Sequence, residues 1–368
     1  MARNLSGRRR DNTLLLTPDL TLNAPFRGVG SANDCGVAPP LVCLTNVYVL
    51  GNMPDRKTPY MVQYLFNVQR ELNSSTALEI GYLGSHSYRL ERMFDWNETI
   101  PGITGSVQSR KPYPEFTKVQ EIGNVAQARY NSLAIKVTRR LHDGLSVLGA
   151  YTLSKSEDNG SGIRTLTGDT LFPQNSFCLD CEWGLSVFDV RHRFVASILY
   201  ELPFGGGKSF MQNGAGAAIL GGWQISSIIS KSSGFPRTAY VGTDRSNTAG
   251  GQDRPNVTGP DPNLAGDQQT IQQWFNTGAF ALNTVGTFGN AGRNTIIGPG
   301  ITRVDASIMR NFRLTTNKTL QFRLEGFNLL NTPIWGDPNT TLTSPLYGTI
   351  NTTRTPMREL QIGVKFVF

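Results

Sequence analysis

The sequence predicts an all-β protein: an antiparallel transmembrane β-barrel, present in part, with about nine or ten strands and long external loops. Three observations predict it. Segments spread through the chain alternate apolar and polar residues with a period of two, so each is a strand with one apolar face. The connections between these segments run short, long, short, long. Charged residues are 17 % and hydrophobic residues only 39 %, and no run approaches the ~18 apolar residues of a membrane helix.

Residues 1–58 are rich in Gly, Pro, Asn and Asp and read as a loop-rich N-terminal segment with one candidate strand, Leu41 to Leu50. Residues 59–368 carry the barrel pattern. Tyr60, Val62, Tyr64, Phe66 and Val68 alternate with Met61, Gln63, Leu65, Asn67 and Gln69. After a tight turn at Asn73 to Ser75, Leu78, Ile80 and Tyr82 alternate with Ala77, Glu79 and Gly81, which completes a hairpin. From Arg89 to Arg129 the chain is polar, holds Pro101, Pro112 and Pro114, and reads as loop throughout. Leu133, Ile135 and Val137 open a second hairpin, which turns at His142 to Gly144 into Leu145, Val147, Tyr151 and Leu153. A fifth strand carries Phe194, Ala196, Ile198, Tyr200 and Leu202, and the Gly-rich stretch Pro203 to Gly222 joins it to a sixth, Trp223 to Lys231. The longest loop, Pro236 to Ile301, leads to a strand with Val304, Ala306 and Ile308 on one face. Arg310 interrupts that face near its end, where a long side chain can snorkel to an interface.

The last two strands show the pattern best. Leu320, Phe322 and Leu324 oppose Gln321, Arg323 and Glu325, and Leu360, Ile362, Val364, Phe366 and Phe368 oppose Glu359, Gln361, Gly363, Lys365 and Val367. Arg and Glu on the inner face suit a wet lumen better than an oily core. A strand pair from a soluble sandwich has the same period with its polar face outward, so the connection lengths and the repetition select the barrel. With the C-terminus in the periplasm, the short turns are periplasmic and the long loops external. Bacterial barrels are closed and mostly even-stranded, so an odd count of about nine leaves at least one strand to be supplied from the N-terminal side.

The net charge of +8 comes from basic residues that are scattered, apart from Arg8, Arg9 and Arg10 at a start that reads as disordered, and it excludes a nucleic-acid partner. Leu14 to Leu16 is too short for the apolar region of a signal peptide. The start therefore fits either a cytosolic protein or a piece of a longer exported one.

Four cysteines, Cys35, Cys43, Cys178 and Cys181, are disulfide candidates in an oxidising compartment, either as two local pairs or crossed, with a four-cysteine zinc site as the alternative. Gly205-Gly-Gly-Lys208-Ser209 resembles part of a phosphate loop, but Leu202 stands where the pattern needs Gly and the Gly-rich run argues against a following helix, so it reads as a turn. His86, His142 and His192 lack a nucleophile or metal partner at a known spacing, and His192 fits a polar girdle. Asp244, Asp253, Asp261 and Asp267 lack the spacing of a calcium loop and read as solvated. Tyr60, Tyr82, Tyr151, Tyr200 and Trp223 suit interfacial girdles. No catalytic residue, metal site or cofactor motif emerges, and no residue set selects a substrate; the chain reads as a non-enzyme.

One series of motifs is specific in combination. Arg254-Pro-Asn256, Trp274-Phe-Asn276 with Ala279-Phe280, Gly286-Thr-Phe-Gly-Asn-Ala-Gly-Arg293, Val304-Asp305, Phe322-Arg-Leu-Glu-Gly-Phe-Asn328 with Asn331, and the terminal Phe368 resemble the C-terminal barrel of Oar-like TonB-dependent outer-membrane transporters. Phe188-Asp-Val-Arg-His-Arg193 and Thr58-Pro-Tyr60 match the same family, so the resemblance covers about residues 55 to 368. It implies a location in the cell outer membrane and uptake of a bulky substrate, with lipid around the barrel. It also implies that Phe366 and Phe368 form the signal read by the barrel-assembly machinery. The family's plug, TonB-contacting box and first barrel half do not appear in this sequence, so the TonB complex is a partner only if the full-length protein supplies a plug. A surface barrel that displays loops for adhesion, without energised transport, is the alternative.

Overall fold

All nine alternating segments form strands. The computed structural model describes residues 7–10, 48–114, 116–163, 170, 172–251 and 253–368. In chain order the strands are β1 (Gly7–Arg10), β2 (Tyr48–Asn52), β3 (Tyr60–Asn73), β4 (Thr76–Asp95), β5 (Lys118–His142), β6 (Leu145–Asp158), β7 (Gly184–Leu185) and β8 (His192–Glu201). A short helix α1 (Gly214–Leu220) precedes β9 (Trp223–Ser232), β10 (Pro236–Arg237), β11 (Asn256–Val257), β12 (Phe280–Ala281), β13 (Ile296–Ile297), β14 (Ile301–Arg313), β15 (Thr319–Phe327) and β16 (Glu359–Val367). The wall is an antiparallel meander in which β3, β4, β5, β6, β8, β9, β14, β15 and β16 each pair with the next.

The register fixes the two faces, because directly paired residues share one. Tyr200, Ile225, Ile308, Leu324 and Ile362 form one cross-strand row, and Val68, Ile80, Ile135, Tyr151 and Phe194 form another on the same side. The opposite side carries Glu201, Gln224, Met309 and Arg323, then Ser226, Ser307, Glu325 and Gln361. Leu360, Ile362 and Val364 are each about two-thirds exposed, at 66 %, 69 % and 66 %, and no element among the described residues covers them. A membrane barrel is built this way round, with its apolar side toward lipid and its polar side toward the lumen.

Turn chemistry closes the short connections. Asn73 Oδ1 accepts the Ser75 backbone N–H at 3.0 Å. Asp143 (φ 52°) and Gly144 (φ 77°) both take the left-handed conformation that a two-residue hairpin matching the strand twist requires.

Four expectations need correction. The segment from Arg89 to Arg129 is not all loop: β4 continues to Asp95 and β5 begins at Lys118. The apolar residues of these strand halves, Met93, Phe94, Val119 and Ala126, are buried and do not alternate with polar ones in a period of two. Arg8 to Arg10 lie in β1, which pairs with β2, and β2 runs parallel to the start of β5. The candidate strand Leu41 to Leu50 survives as β2, shifted toward the C-terminus, while residues 41–47 lie outside the described residues. The connection after β8 does contain a helix, α1, because Ala-Gly-Ala-Ala-Ile-Leu is mostly helix-forming and its end is held by side chains of the wall.

Candidate functional site

The loop end of the wall carries an ordered cap with its own apolar core. Ala239, Phe275, Ala279, Phe280, Ala291 and Ile296 are buried together, with Trp274, Leu342 and Tyr347 packed against them. Phe275 meets Tyr347 edge to face at 5.2 Å. Two small ladders, β10 with β13 and β11 with β12, tie the segments.

The motif series is the skeleton of this cap. Phe275, Ala279 and Phe280 supply the core, and Asn276 accepts the Gly278 N–H to cap a single helical turn. Gly289 lies so close to Arg254 that a Cβ would overlap its carbonyl. Asp305 accepts the Asn328 N–H at 2.7 Å, and Asn328 and Asn331 take positive φ where β15 leaves the membrane.

Beneath the core lies a buried ionic cluster. Glu182 accepts Arg254 at 3.0 and 3.1 Å and Arg92 at 3.4 Å, while its backbone carbonyl accepts Arg293 Nε at 3.0 Å. Arg293 also pairs with Asp158, and each of these five side chains is nine-tenths or more buried. The disulfide between Cys178 and Cys181 closes the helical turn that ends on Glu182. Cys35 and Cys43 lie outside the described residues. Buried charges persist only when paired and hydrogen-bonded, so the cluster fixes how five stretches of the chain meet.

An open cleft of about 720 Å³ lies beside the cluster, lined among others by Trp183, Asp189, Arg191, Asp261, Asn263 and Arg293. Trp183 is 41 % exposed, and Arg191 offers a guanidinium with no side-chain hydrogen bond among the described residues. An aromatic platform beside a cation, here flanked by the Asp189 carboxylate, can hold a ligand that has both a flat face and a polar group.

Glu98 sits in a smaller cavity with Lys111, Phe172 and Thr248. Burial pushes its carboxyl up to about 7, against the pull of the Ser176 N–H that donates to it at 2.6 Å. Its other oxygen has no hydrogen-bond partner among the described residues. Because the folded value is raised, the stabilisation is full below the ordinary value near 4.5 and fades as pH climbs through about 7. Hydrogen exchange across residues 96–114 and 172–178, corrected for its intrinsic pH dependence, is therefore expected to quicken between about pH 4.5 and 7, by up to ~3 kcal/mol in opening free energy, and Glu98→Gln should flatten the dependence. An equally steep profile in the variant would refute this.

The other sequence candidates scatter. His192 accepts or donates to Tyr151 at 2.8 Å on the outer face, where a girdle residue belongs, and His86 lies among Tyr64 and Tyr88 on the same face. His142 pairs with Asp143 in its turn. Asp253 is not solvated as expected: it is buried and accepts the Ser246 N–H and hydroxyl. Asp244 likewise accepts the Thr248 and Ala249 N–H groups. Gly205 to Ser209 is a turn, with Lys208 reaching Glu201 on the lumen face. Phe366 and Phe368 stack at 5.8 Å on the outer face. Arg92, Asp158 and Glu182 escaped the sequence reading, since charges in polar loops look like solvated ones.

The family model described as outer membrane beta barrel domain matches residues 5–361. No curated protein matches the sequence. Among solved structures, the chain is similar to the outer membrane transporter YddB from Escherichia coli, at 10 % identity and a TM-score of 0.43, over 88 % of this chain and 33 % of that one. It is also similar to the siderophore receptor PiuA from Acinetobacter baumannii (10 % identity, TM-score 0.42, 84 % of this chain and 28 % of that one). The pyoverdine receptor FpvA from Pseudomonas aeruginosa PAO1 matches at 10 % identity and a TM-score of 0.40, over 84 % and 30 % of the two chains. The chain thus spans a third or less of the length of these structures.

Proposed function

The chain belongs to the outer membrane beta barrel domain family, and from that premise we propose that it is the C-terminal wall and loop cap of an Oar-like TonB-dependent receptor that takes up a bulky substrate. The observation that carries this reading is the cleft framed by Trp183 and Arg191 in a cap with its own buried core, beside a polar wall face. Rigid scaffolds that present loops are where binding residues concentrate. In this reading the long loops face outward, the short turns face the periplasm, and Phe366 and Phe368 are the signal for the assembly machinery. Residues 1–58 then form a lead-in segment to the barrel part, 59–368.

The test is direct. The purified protein, with whatever precedes it in its gene, is titrated with panels of oligosaccharides, oligopeptides and ferric chelates while tryptophan emission is followed. One class should bind, and Trp183→Ala with Arg191→Ala should weaken it by about 100-fold, the loss of two contacts worth ~1–2 kcal/mol each. Uptake of that ligand should cease in cells without the TonB complex. Surface adhesion that survives both changes would establish the display barrel instead.

A further inference from the structure

The connection between β8 and β9 has a feature that neither the wall nor the cap uses. We propose that residues 203–222 form a membrane-surface foot, in which α1 and the residues before it lie in the phospholipid headgroup region at the turn end of the barrel. This rests on the family membership and on the assignment of the outer face, not on transport.

Position comes first. Trp223, Arg310, Phe322 and Val364 form one cross-strand row on the apolar face, near the turn end. Arg310 Nη1 donates to the Ile219 carbonyl at 2.6 Å and Nη2 to that of Ala218, while Trp223 Nε1 donates to Ile219 at 3.0 Å. These bonds satisfy the last carbonyls of α1 and draw the helix to the outside of the wall rather than under the lumen. Lys208 reaches the other way, to Glu201 on the polar face. The connection therefore straddles the rim.

Its surface is apolar. Phe210, Met211, Ile219 and Leu220 are 58 %, 52 %, 66 % and 41 % exposed. Four large apolar side chains in so short a stretch, with no protein over them among the described residues, would be costly in water. The end of α1, with Ile219 and Leu220, adjoins Arg310 and Trp223 on the apolar outer face of β9 and β14, and this continuity names the occupant. Arg310 stands over the rings of Phe312 at 4.4 Å and Trp223 at 5.6 Å, and Trp223 meets Phe322 edge to face at 6.2 Å. Aromatic rings with a snorkelled cation mark a membrane–water interface, and a short apolar helix beside them lies in its plane. Arg310, which interrupts the apolar pattern of its strand, is thereby explained as the tether of the foot.

The experiment uses the whole chain refolded into vesicles of phosphatidylethanolamine and phosphatidylglycerol, with Cys35 and Cys43 replaced by serine. An environment-sensitive fluorophore is attached at Ile219→Cys, or at Leu220→Cys should the first variant fold poorly. A matching label at Leu324→Cys, on the outer face of β15, reports the membrane reading by itself. Emission at 219 should be blue-shifted and about twofold brighter than in detergent-free buffer, and quenched by lipids brominated near the headgroup but not by iodide. A label at 219 that stays open to iodide while Leu324→Cys is lipid-exposed overturns the foot and spares the barrel. A water-exposed Leu324→Cys overturns the barrel reading as well.

Discussion

Replacing Glu182 with alanine is expected to unfasten the loop cap while leaving the wall folded. The carboxylate is 2 % exposed and serves both Arg92 and Arg254. Removing it leaves two guanidiniums deep in the cap without their shared counter-charge, and breaking a buried pair in this way typically costs ~3–5 kcal/mol. Since the cap holds its own core, the loss should be local. Limited proteolysis should cut within residues 174–182 and 242–256, while the mobility difference between heated and unheated protein on gels persists. Glu182→Gln, which keeps the shape and one acceptor, should lie between wild type and alanine. Wild-type protease resistance in the alanine variant would mean that the apolar core alone carries the cap.

The wall makes a second large effect testable with two positions one residue apart. Ile135 sits midway along the outer face of β5, between Arg139 and Asn131, whereas Ala134 faces the lumen beside Gly81 and Thr152. Arginine at position 135 places a charge near the bilayer centre, at a cost of ~2–4 kcal/mol, while arginine at 134 meets water at ~1 kcal/mol or less. Urea titration in vesicles should move the folding midpoint strongly for Ile135→Arg and little for Ala134→Arg. Equal shifts would mean that the two faces do not see lipid and water.

The wall was legible in the sequence because a lipid-facing strand must alternate, and nothing else in the chain imposes that period. Leu320 to Glu325 and Leu360 to Phe368 needed no tertiary information to be read. The outer halves of β4 and β5 were not legible, since their apolar residues, Met93, Phe94, Val119 and Ala126, follow no period of two and are buried only by strand pairing and the cap. The cap was half legible. Arg254 and Arg293 stood out within motifs, but their partners Glu182 and Asp158 sit in loops whose local sequence resembles any solvated turn. Partnership across 72 and 135 residues leaves no periodic trace. The helix in the Gly-rich connection was hidden because its stability depends on Arg310, contributed from a strand 91 residues later.

Those long separations also set an order of events. Asp158 and Glu182 lie on one side of β8 in the chain, and Arg254 and Arg293 beyond β9, so no local stretch can complete the ionic cluster. Loop closure over such distances comes late, after the intervening strands have found their neighbours. Until then two carboxylates and three guanidiniums stay hydrated. The ionic closure of the cap therefore waits on β8 and β9, the strands that lie between its partners in the chain.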